Sequence, residues 1–300
     1  MHSIAPNSLS AWILASRPKT LGAILSPVLV GSALAYTYKK FDFSIMFISI
    51  ICAILLQILA NIVNDYCDFI KGKDTAERLG PPRAMQLNLI TPEVMQKGIG
   101  LLLLAIIFSG MPLIFRAGLE ILALGILCIF FSVWYTAGPK PLSYLGFSEI
   151  AVLIFFGPVP LLGAYYCQTL SYSLVGLAAS VGPAFLATAL IMTNNLRDIQ
   201  EDAKNNKKTI AVRFGEEFSR RTIIFLIITS MISPVMLVVF FGYNYLLLII
   251  LILLAIPARS FKAILHDPVS RDFNIIFAHI GQMIYLYGIL FSIGIICASP

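Results

Sequence analysis

Charge is what this sequence has least of. Only 12% of its 300 residues are Asp, Glu, Lys or Arg, against 59% hydrophobic, and mean hydropathy is +0.89. That balance excludes a soluble globular composition. Histidine is scarce too: His2, His266 and His279 show no metal-ligand spacing, and no Ser/His/Asp or Cys/His set is evident. The five cysteines are scattered, with no C-x-x-C pair. Four of them lie in apolar runs, where a thiol is ordinarily a small buried hydrophobe, so neither a disulfide framework nor a zinc site is implied. Basic–aromatic clusters that stack bases are missing, which argues against nucleic acid as a partner. The N-terminal stretch has no positively charged region ahead of a short apolar segment, so no cleavable signal peptide is expected.

Long apolar runs are what the chain has instead. About 20 residues at 1.5 Å rise cross a 30 Å hydrocarbon core. Nine candidate spans meet or approach that length: 20–38, 44–63, 98–115, 118–136, 148–168, 173–194, 222–241, 243–258 and 274–297. The eighth is short, and a tilted or shallow segment is expected there. With nine spans, 18 of the Lys and Arg residues fall on the side holding the N-terminus, and Lys39, Lys40 and Arg116 on the other. That asymmetry assigns the N-terminus and the charged loops to the cytoplasm. The net charge of +6 is therefore a topology signal. Thirteen of the fifteen acids share the same side, Asp42 and Glu120 excepted. Topology alone needs only cations, so the carboxylates require another reason.

Two stretches supply it. NDYCDFIKGKD runs from Asn64 to Asp74 after the second span, and NNLRDIQEDAKNNKKT from Asn194 to Thr209 after the sixth. Asn64-x-x-x-Asp68 matches Asn194-x-x-x-Asp198, and Asp202 follows four further on. A spacing of four puts these side chains on one helix face. Both motifs end even-numbered spans, so both meet the same aqueous boundary. Carboxylates with amide oxygens are hard ligands suited to Mg²⁺, which completes its shell with waters and substrate phosphates. Lys71, Lys73, Arg83, Arg197, Lys207 and Lys208 lie beside the acids, as diphosphate binding requires. A diphosphate reached from a bilayer is most simply a polyprenyl diphosphate.

At these residues the sequence resembles the UbiA superfamily of intramembrane prenyltransferases, in its MenA-type branch. The matching segments are 16–31 (SRPKTLGAILSPVLVG), 64–86, 134–159 and 194–215, in the expected order. Leu87-Asn88 stands where relatives commonly have a glycine, and asparagine tolerates the same left-handed turn. The resemblance implies an all-α integral membrane protein, about nine transmembrane helices around a central cavity open to lipid. It implies one polytopic domain over 1–300, with cytoplasmic-side cap loops at about 64–97 and 195–221. Asn64, Asp65, Asp68, Asp74, Asp198 and Asp202 would hold metal, two Mg²⁺ bridged by the substrate diphosphate. Lys71, Lys73, Arg83, Asn194, Asn195 and Lys207 would contact diphosphate or acceptor. Tyr135, Lys140 and Arg197 would act near the reacting carbon and leaving group. The implied substrates are a polyprenyl diphosphate and 1,4-dihydroxy-2-naphthoate, in menaquinone synthesis in a bacterial cytoplasmic membrane.

Other functions compete. Another aromatic acceptor, such as 4-hydroxybenzoate or homogentisate, or a haem, would keep the fold and chemistry. A transporter would place its ionisable residues near the midplane, whereas nearly all acids here sit at one interface. A non-catalytic scaffold leaves the paired motifs unexplained. Glu149, at the start of the fifth span, either lines the cavity or reaches the interface. Gln57, seven residues before Asn64, lines the cavity or bonds a neighbouring helix. His279 is expected to pack.

Overall fold

The computed structural model describes residues 4–73 and 79–300, the side chain of Arg259 excepted. Among them every regular element is helical. In chain order these are α1 (Leu9–Ser16), α2 (Leu21–Thr37), α3 (Phe43–Ile70), α4 (Pro92–Ala117), α5 (Leu119–Trp134), α6 (Leu142–Leu145), α7 (Ser148–Phe155) and α8 (Pro158–Thr169). They continue as α9 (Leu174–Arg197), α10 (Ile199–Lys204), α11 (Ile210–Thr229), α12 (Ile232–Phe241), a 3₁₀ segment (Tyr245–Leu254), α13 (Ala255–His266) and α14 (Phe273–Ala298). Among the described residues seven helical stretches are long and apolar enough to cross a membrane. An eighth, Tyr245–His266, is bent by 52°. A further apolar helix, α5, is shorter, 16 residues long, or about 24 Å. The nine expected spans thus all correspond to helical segments, and the chain is an integral membrane protein.

Local chemistry explains the helix ends. Asp42 caps α3 by accepting from Ser44 N and Ile45 N. Thr91, Ser173 and Thr209 do the same for α4, α9 and α11, each satisfying an otherwise orphaned N–H. The eighth span is short in sequence because ten of its residues are 3₁₀, which rises about 2 Å per residue. Asn88 takes φ 55°, so the left-handed turn expected there forms without glycine.

The most buried helix is α9, whose Ala- and Gly-rich sequence lets backbones approach closely. It touches α2, α7, α8, α11, α12 and α14. Gly182 marks the tightest point: a Cβ there would stand 2.1 Å from Tyr287 Oη. By contrast α5 buries no residue fully. Its side chains divide between lipid and an internal cavity, so it is a wall rather than a core element. A helix absent from the nine-span expectation, α1, packs Ala11 and Ala15 against Ile62, Met85, Ile90 and Met95. It thereby clamps the N-terminal segment onto the end of α3.

The two ends of the bundle differ in charge, as the sequence requires. At one end Lys40 Nζ and Arg116 donate to the terminal carbonyls of α8, at Thr169, Cys167 and Gln168. Cations suit a helix C-terminus. At the other end of α3, about 40 Å away at 1.5 Å per residue, the acidic motifs gather.

Candidate active site

The helical period of α3 turns Gln57, Asn61, Asn64 and Asp68 to one side. Gln57 Nε2 donates to Asn61 Oδ1 at 3.3 Å, and Asn61 Nδ2 donates to Ser16 O at 2.8 Å and Thr20 Oγ1 at 3.2 Å. Gln57 both lines the cavity and donates to Thr20 Oγ1 of the neighbouring segment at 3.5 Å. Arg17, left-handed at φ 52° between α1 and α2, reaches Asn64 Oδ1 at 2.9 Å. The Asn64 amide donates to Asp68 Oδ2 at 3.1 Å and Thr136 Oγ1 at 3.2 Å. Asp68 is also paired with Arg83 at 2.6 Å, the two side chains 2% and 7% exposed. Arg83 thus ties the loop after α3 back onto the helix that precedes it. Asp74 lies outside the described residues.

The second motif ends α9. Arg197 is buried, and its fork grips Asp198 through Nε at 2.7 Å and Nη2 at 2.6 Å. Its other donors reach Asn274 Oδ1 at 2.7 Å and Asn194 Oδ1 at 2.5 Å. Arg197 therefore binds α9 to α14 and sets Asn194 and Asp198 together. Asn195 donates to Glu149 Oε1 at 2.8 Å. The same buried carboxylate accepts from Ile210 N at 3.1 Å and Ser148 Oγ at 2.7 Å. Glu149 is thus a buried tie between α7, α9 and the start of α11. Asp202 pairs with Lys207 at 3.2 Å. Burial pulls its carboxyl up to about 6, with the Lys207 charge opposing.

Tyr144, on α6, stands between the halves. Its hydroxyl donates to Asp68 Oδ1 at 3.4 Å. Lys73 Nζ sits 3.8 Å from its ring centroid, with Lys71 and Lys207 each at 5.4 Å. Lys208 N donates to Tyr144 O at 3.1 Å. The approach needs a glycine: at Gly146, φ 82°, a Cβ would stand 2.3 Å from Lys208 O. Lys140 is not brought here. It is exposed, and the turn carrying it is fixed by Trp134 Nε1 donating to its carbonyl at 3.1 Å.

The first motif, through Asn64 and Asp65, and the second, through Asn194, Asn195, Asp198 and Asp202, line a cavity of about 1450 Å³, while Asp68, Lys71, Lys73 and Tyr144 are not among its lining residues. Its polar end holds Asn64, Asp65, Arg83, Asn194, Asn195, Arg197, Asp198, Asp202 and Lys207. The rest of the lining is mostly apolar, built from Ile24, Val28, Leu56, Leu124, Phe155 and Tyr285 among others, with Tyr135 also on the wall. One end can therefore take a polyanion and the remainder a long hydrocarbon. Among the described residues no three His, Cys, Asp or Glu side chains come close enough to hold an ion by themselves. Asp68, Asp198 and Asp202 are each held by a basic side chain. The donor set still fits Mg²⁺, which takes one or two carboxylates and completes its shell with waters and phosphate oxygens.

The model of the UbiA prenyltransferase family matches residues 24–280. The chain belongs to the UbiA prenyltransferase family. Among curated proteins it is 40% identical over 219 residues to 1,4-dihydroxy-2-naphthoate octaprenyltransferase of Escherichia coli, covering 70% of each chain. It is 28% identical over 297 residues to the Bacillus subtilis enzyme of the same name, covering 95% of this chain and 91% of that one. Among solved structures, a UbiA homologue from Archaeoglobus fulgidus bound to DMAPP and Mg²⁺ superposes with a TM-score of 0.65 at 14% identity, covering 95% and 99%. An apo UbiA homologue from Aeropyrum pernix gives 0.68 at 12% identity, covering 93% and 97%.

Four residues that contact the motifs escaped the sequence: Arg17 and Asn274, which line the cavity, and Thr136 and Tyr144, which bond Asn64 and Asp68. Arg17, Thr136 and Tyr144 lie in the segments that carry the family resemblance, which was the available signal. Asn274 is joined to the second motif only by a long-range contact and carries no local mark.

Proposed function

We propose that this chain transfers a polyprenyl group from polyprenyl diphosphate to 1,4-dihydroxy-2-naphthoate, with loss of the ring carboxyl, in menaquinone synthesis. The observation that carries the reading is the convergence of two Asn-x-x-x-Asp helix ends on the polar end of one otherwise apolar cavity. The names of the bacterial relatives supply the acceptor.

The chemistry follows from charge. Asn64, Asp65, Asp68, Asp198 and Asp202 would hold Mg²⁺, two ions in this proposal, and the metal would offset the charge of the leaving diphosphate. Arg197, Lys71, Lys73, Arg83 and Lys207 donate to the same oxygens, an electrostatic contribution that usually dominates such catalysis. As the allylic C–O bond breaks, its electron pair leaves with the diphosphate and the prenyl carbon becomes cationic. Tyr135, on the cavity wall, presents an aromatic face to that carbon. The electron-rich naphthoate ring attacks, a C–C bond forms, and loss of CO₂ restores aromaticity. The apolar wall keeps water from the cation. The charged end of the bundle faces the cytoplasm, in a bacterial cytoplasmic membrane.

The test is prenyl transfer by the purified protein, with Mg²⁺ present or chelated. Dihydroxynaphthoate and 4-hydroxybenzoate are offered in parallel, with Asp198→Asn alongside. Mg²⁺-dependent product from the naphthoate alone, lost in the variant, is expected. Product from the benzoate alone reassigns the acceptor. No transfer to either acceptor from folded protein overturns the reading.

A further inference from the structure

Three ammonium groups converge on one aromatic ring in this protein, and no short-range sequence pattern brings them there. Lys71 and Lys73 follow the first motif, Lys207 follows the second, and Tyr144 belongs to neither. Two of the three have other anchors: Lys71 Nζ donates to Thr136 O at 3.1 Å, and Lys207 pairs with Asp202. Lys73 differs. Its ammonium lies 3.8 Å from the Tyr144 centroid and makes no hydrogen bond or ion pair with any described residue. The negative face of an aromatic ring attracts a cation without using its N–H donors. Among the described residues, then, nothing occupies the three donors of Lys73. Burial, and then the charge of Lys207, pull the Lys73 ammonium below its ordinary value, so the cations feel one another. Asp68 and Asp202, the nearby carboxylates, are already engaged by Arg83 and Lys207.

We propose that Tyr144 is a positioning residue: its ring gathers Lys73, with Lys71 and Lys207 beside it, into a single clamp for the diphosphate group, joining the two halves of the site. The ring is the working part, and the hydroxyl contact with Asp68 is secondary. The proposal rests on the reading of this site as a diphosphate site.

The experiment measures binding of inorganic diphosphate, in the presence of Mg²⁺, to the purified full chain in detergent. Tyr144→Leu removes the ring face, Tyr144→Phe keeps it, and Lys73→Gln removes the ammonium. Melting temperature is recorded for each, and KM and kcat for prenyl diphosphate where turnover is seen. The Leu variant is expected to bind diphosphate about tenfold more weakly, a loss on the scale of one desolvated cation–π contact. KM should rise by more than kcat falls. Phe should recover most of the affinity. The Leu/Gln double variant should bind no worse than Lys73→Gln alone, because residues that act through one another are non-additive. Unchanged affinity in Tyr144→Leu, or additive losses in the double variant, overturns the proposal and leaves the diphosphate site standing. If Tyr144→Leu does not fold, loss of affinity in Tyr144→Phe equal to that in Lys73→Gln overturns it. Wild-type protein that binds no diphosphate overturns the proposal and the reading beneath it together.

Discussion

Arg17 and Asn64 meet across 47 positions of sequence, guanidinium Nη2 to amide Oδ1 at 2.9 Å. The contact joins the turn between α1 and α2 to the helix end that carries the first acidic motif. Because Oδ1 accepts from Arg17, the Asn64 NH₂ is left to donate to Asp68 and Thr136. One arginine thus fixes which way the first motif's amide points.

Replacing Arg17 with lysine keeps the charge and loses the planar fork. Prenyl transfer is expected to fall about tenfold in kcat/KM, with melting temperature within a few degrees of wild type. Alanine should cost more, on the order of a hundredfold, or roughly 2.7 kcal/mol at 1.36 kcal/mol per factor of ten. Turnover in purified protein, with a melting curve on the same sample, checks both. Equal activity in Arg17→Lys and wild type would show that charge alone suffices.

The carboxylates are not equivalent. Asp68 and Arg83 form a buried pair, and removing one partner of a buried pair costs about 3–5 kcal/mol in comparable cases. Asp202 is buried too, but desolvation already disfavours its charge, and Lys207 is partly exposed. Asp202→Asn should therefore abolish turnover while leaving the metal-free protein as stable as wild type, or more so. Asp68→Asn should lose activity and stability together. Thermal unfolding without divalent metal, beside activity with it, separates the two. Matching melting temperatures in both variants would contradict this.

How much of this was legible beforehand varied with distance along the chain. The helical spans follow from hydropathy, a local property, and each has a helical counterpart. The Asn-x-x-x-Asp spacing is also local, and its two copies do meet on one cavity. Lys140 shows the limit: the motif marks it, but the Trp134 contact and the turn at Gly138 leave its side chain exposed. Tyr144 shows the converse. Nothing in LSYL distinguishes its tyrosine from eleven others, and only tertiary packing surrounds it with three lysines.

Glu149 ties three elements through one carboxylate. Glu149→Ala leaves the Asn195 amide and the Ile210 N–H without that acceptor, a loss of about 1–3 kcal/mol for each buried group stranded. Glu149→Gln keeps a carbonyl oxygen for both donors, and its NH₂ can donate to the Ser148 hydroxyl. Alanine should therefore lower the melting temperature sharply, and glutamine should restore most of it. Protease resistance and thermal unfolding measure this directly. Equal destabilisation by both would mean that the negative charge, not the acceptor geometry, holds the start of α11.

Chelation should act on turnover before it acts on folding. The fold is carried by the apolar packing along α9 and its neighbours, and the carboxylates Asp198 and Asp202 sit only beyond the C-terminal end of that helix. Metal removal should therefore abolish prenyl transfer while the melting temperature of the ligand-free protein changes little. Mg²⁺ and inorganic diphosphate together should stabilise the protein more than either alone, by RT ln(1 + [L]/Kd), about 2.7 kcal/mol at a hundredfold excess over Kd. A melting temperature that collapses on chelation would instead make the metal structural.

Gly182 tests the packing that holds the cavity's outer scaffold. An added Cβ would meet Tyr287 Oη at 2.1 Å, Tyr287 Cζ at 2.7 Å and Ser230 O at 2.9 Å. Tyr287 is fully buried and cannot swing away. Gly182→Ala should therefore cost about 1–3 kcal/mol, the usual range for overpacking. Tyr287→Phe removes the nearest clashing atom, so adding it should return part of that loss, the ring carbon and the Ser230 carbonyl keeping the remainder. Because neither residue touches the polar end of the cavity, turnover per folded molecule should be preserved throughout. A Gly182→Ala protein with wild-type melting temperature would show that α9 and α14 can separate freely, and that their close approach is not what supports the site.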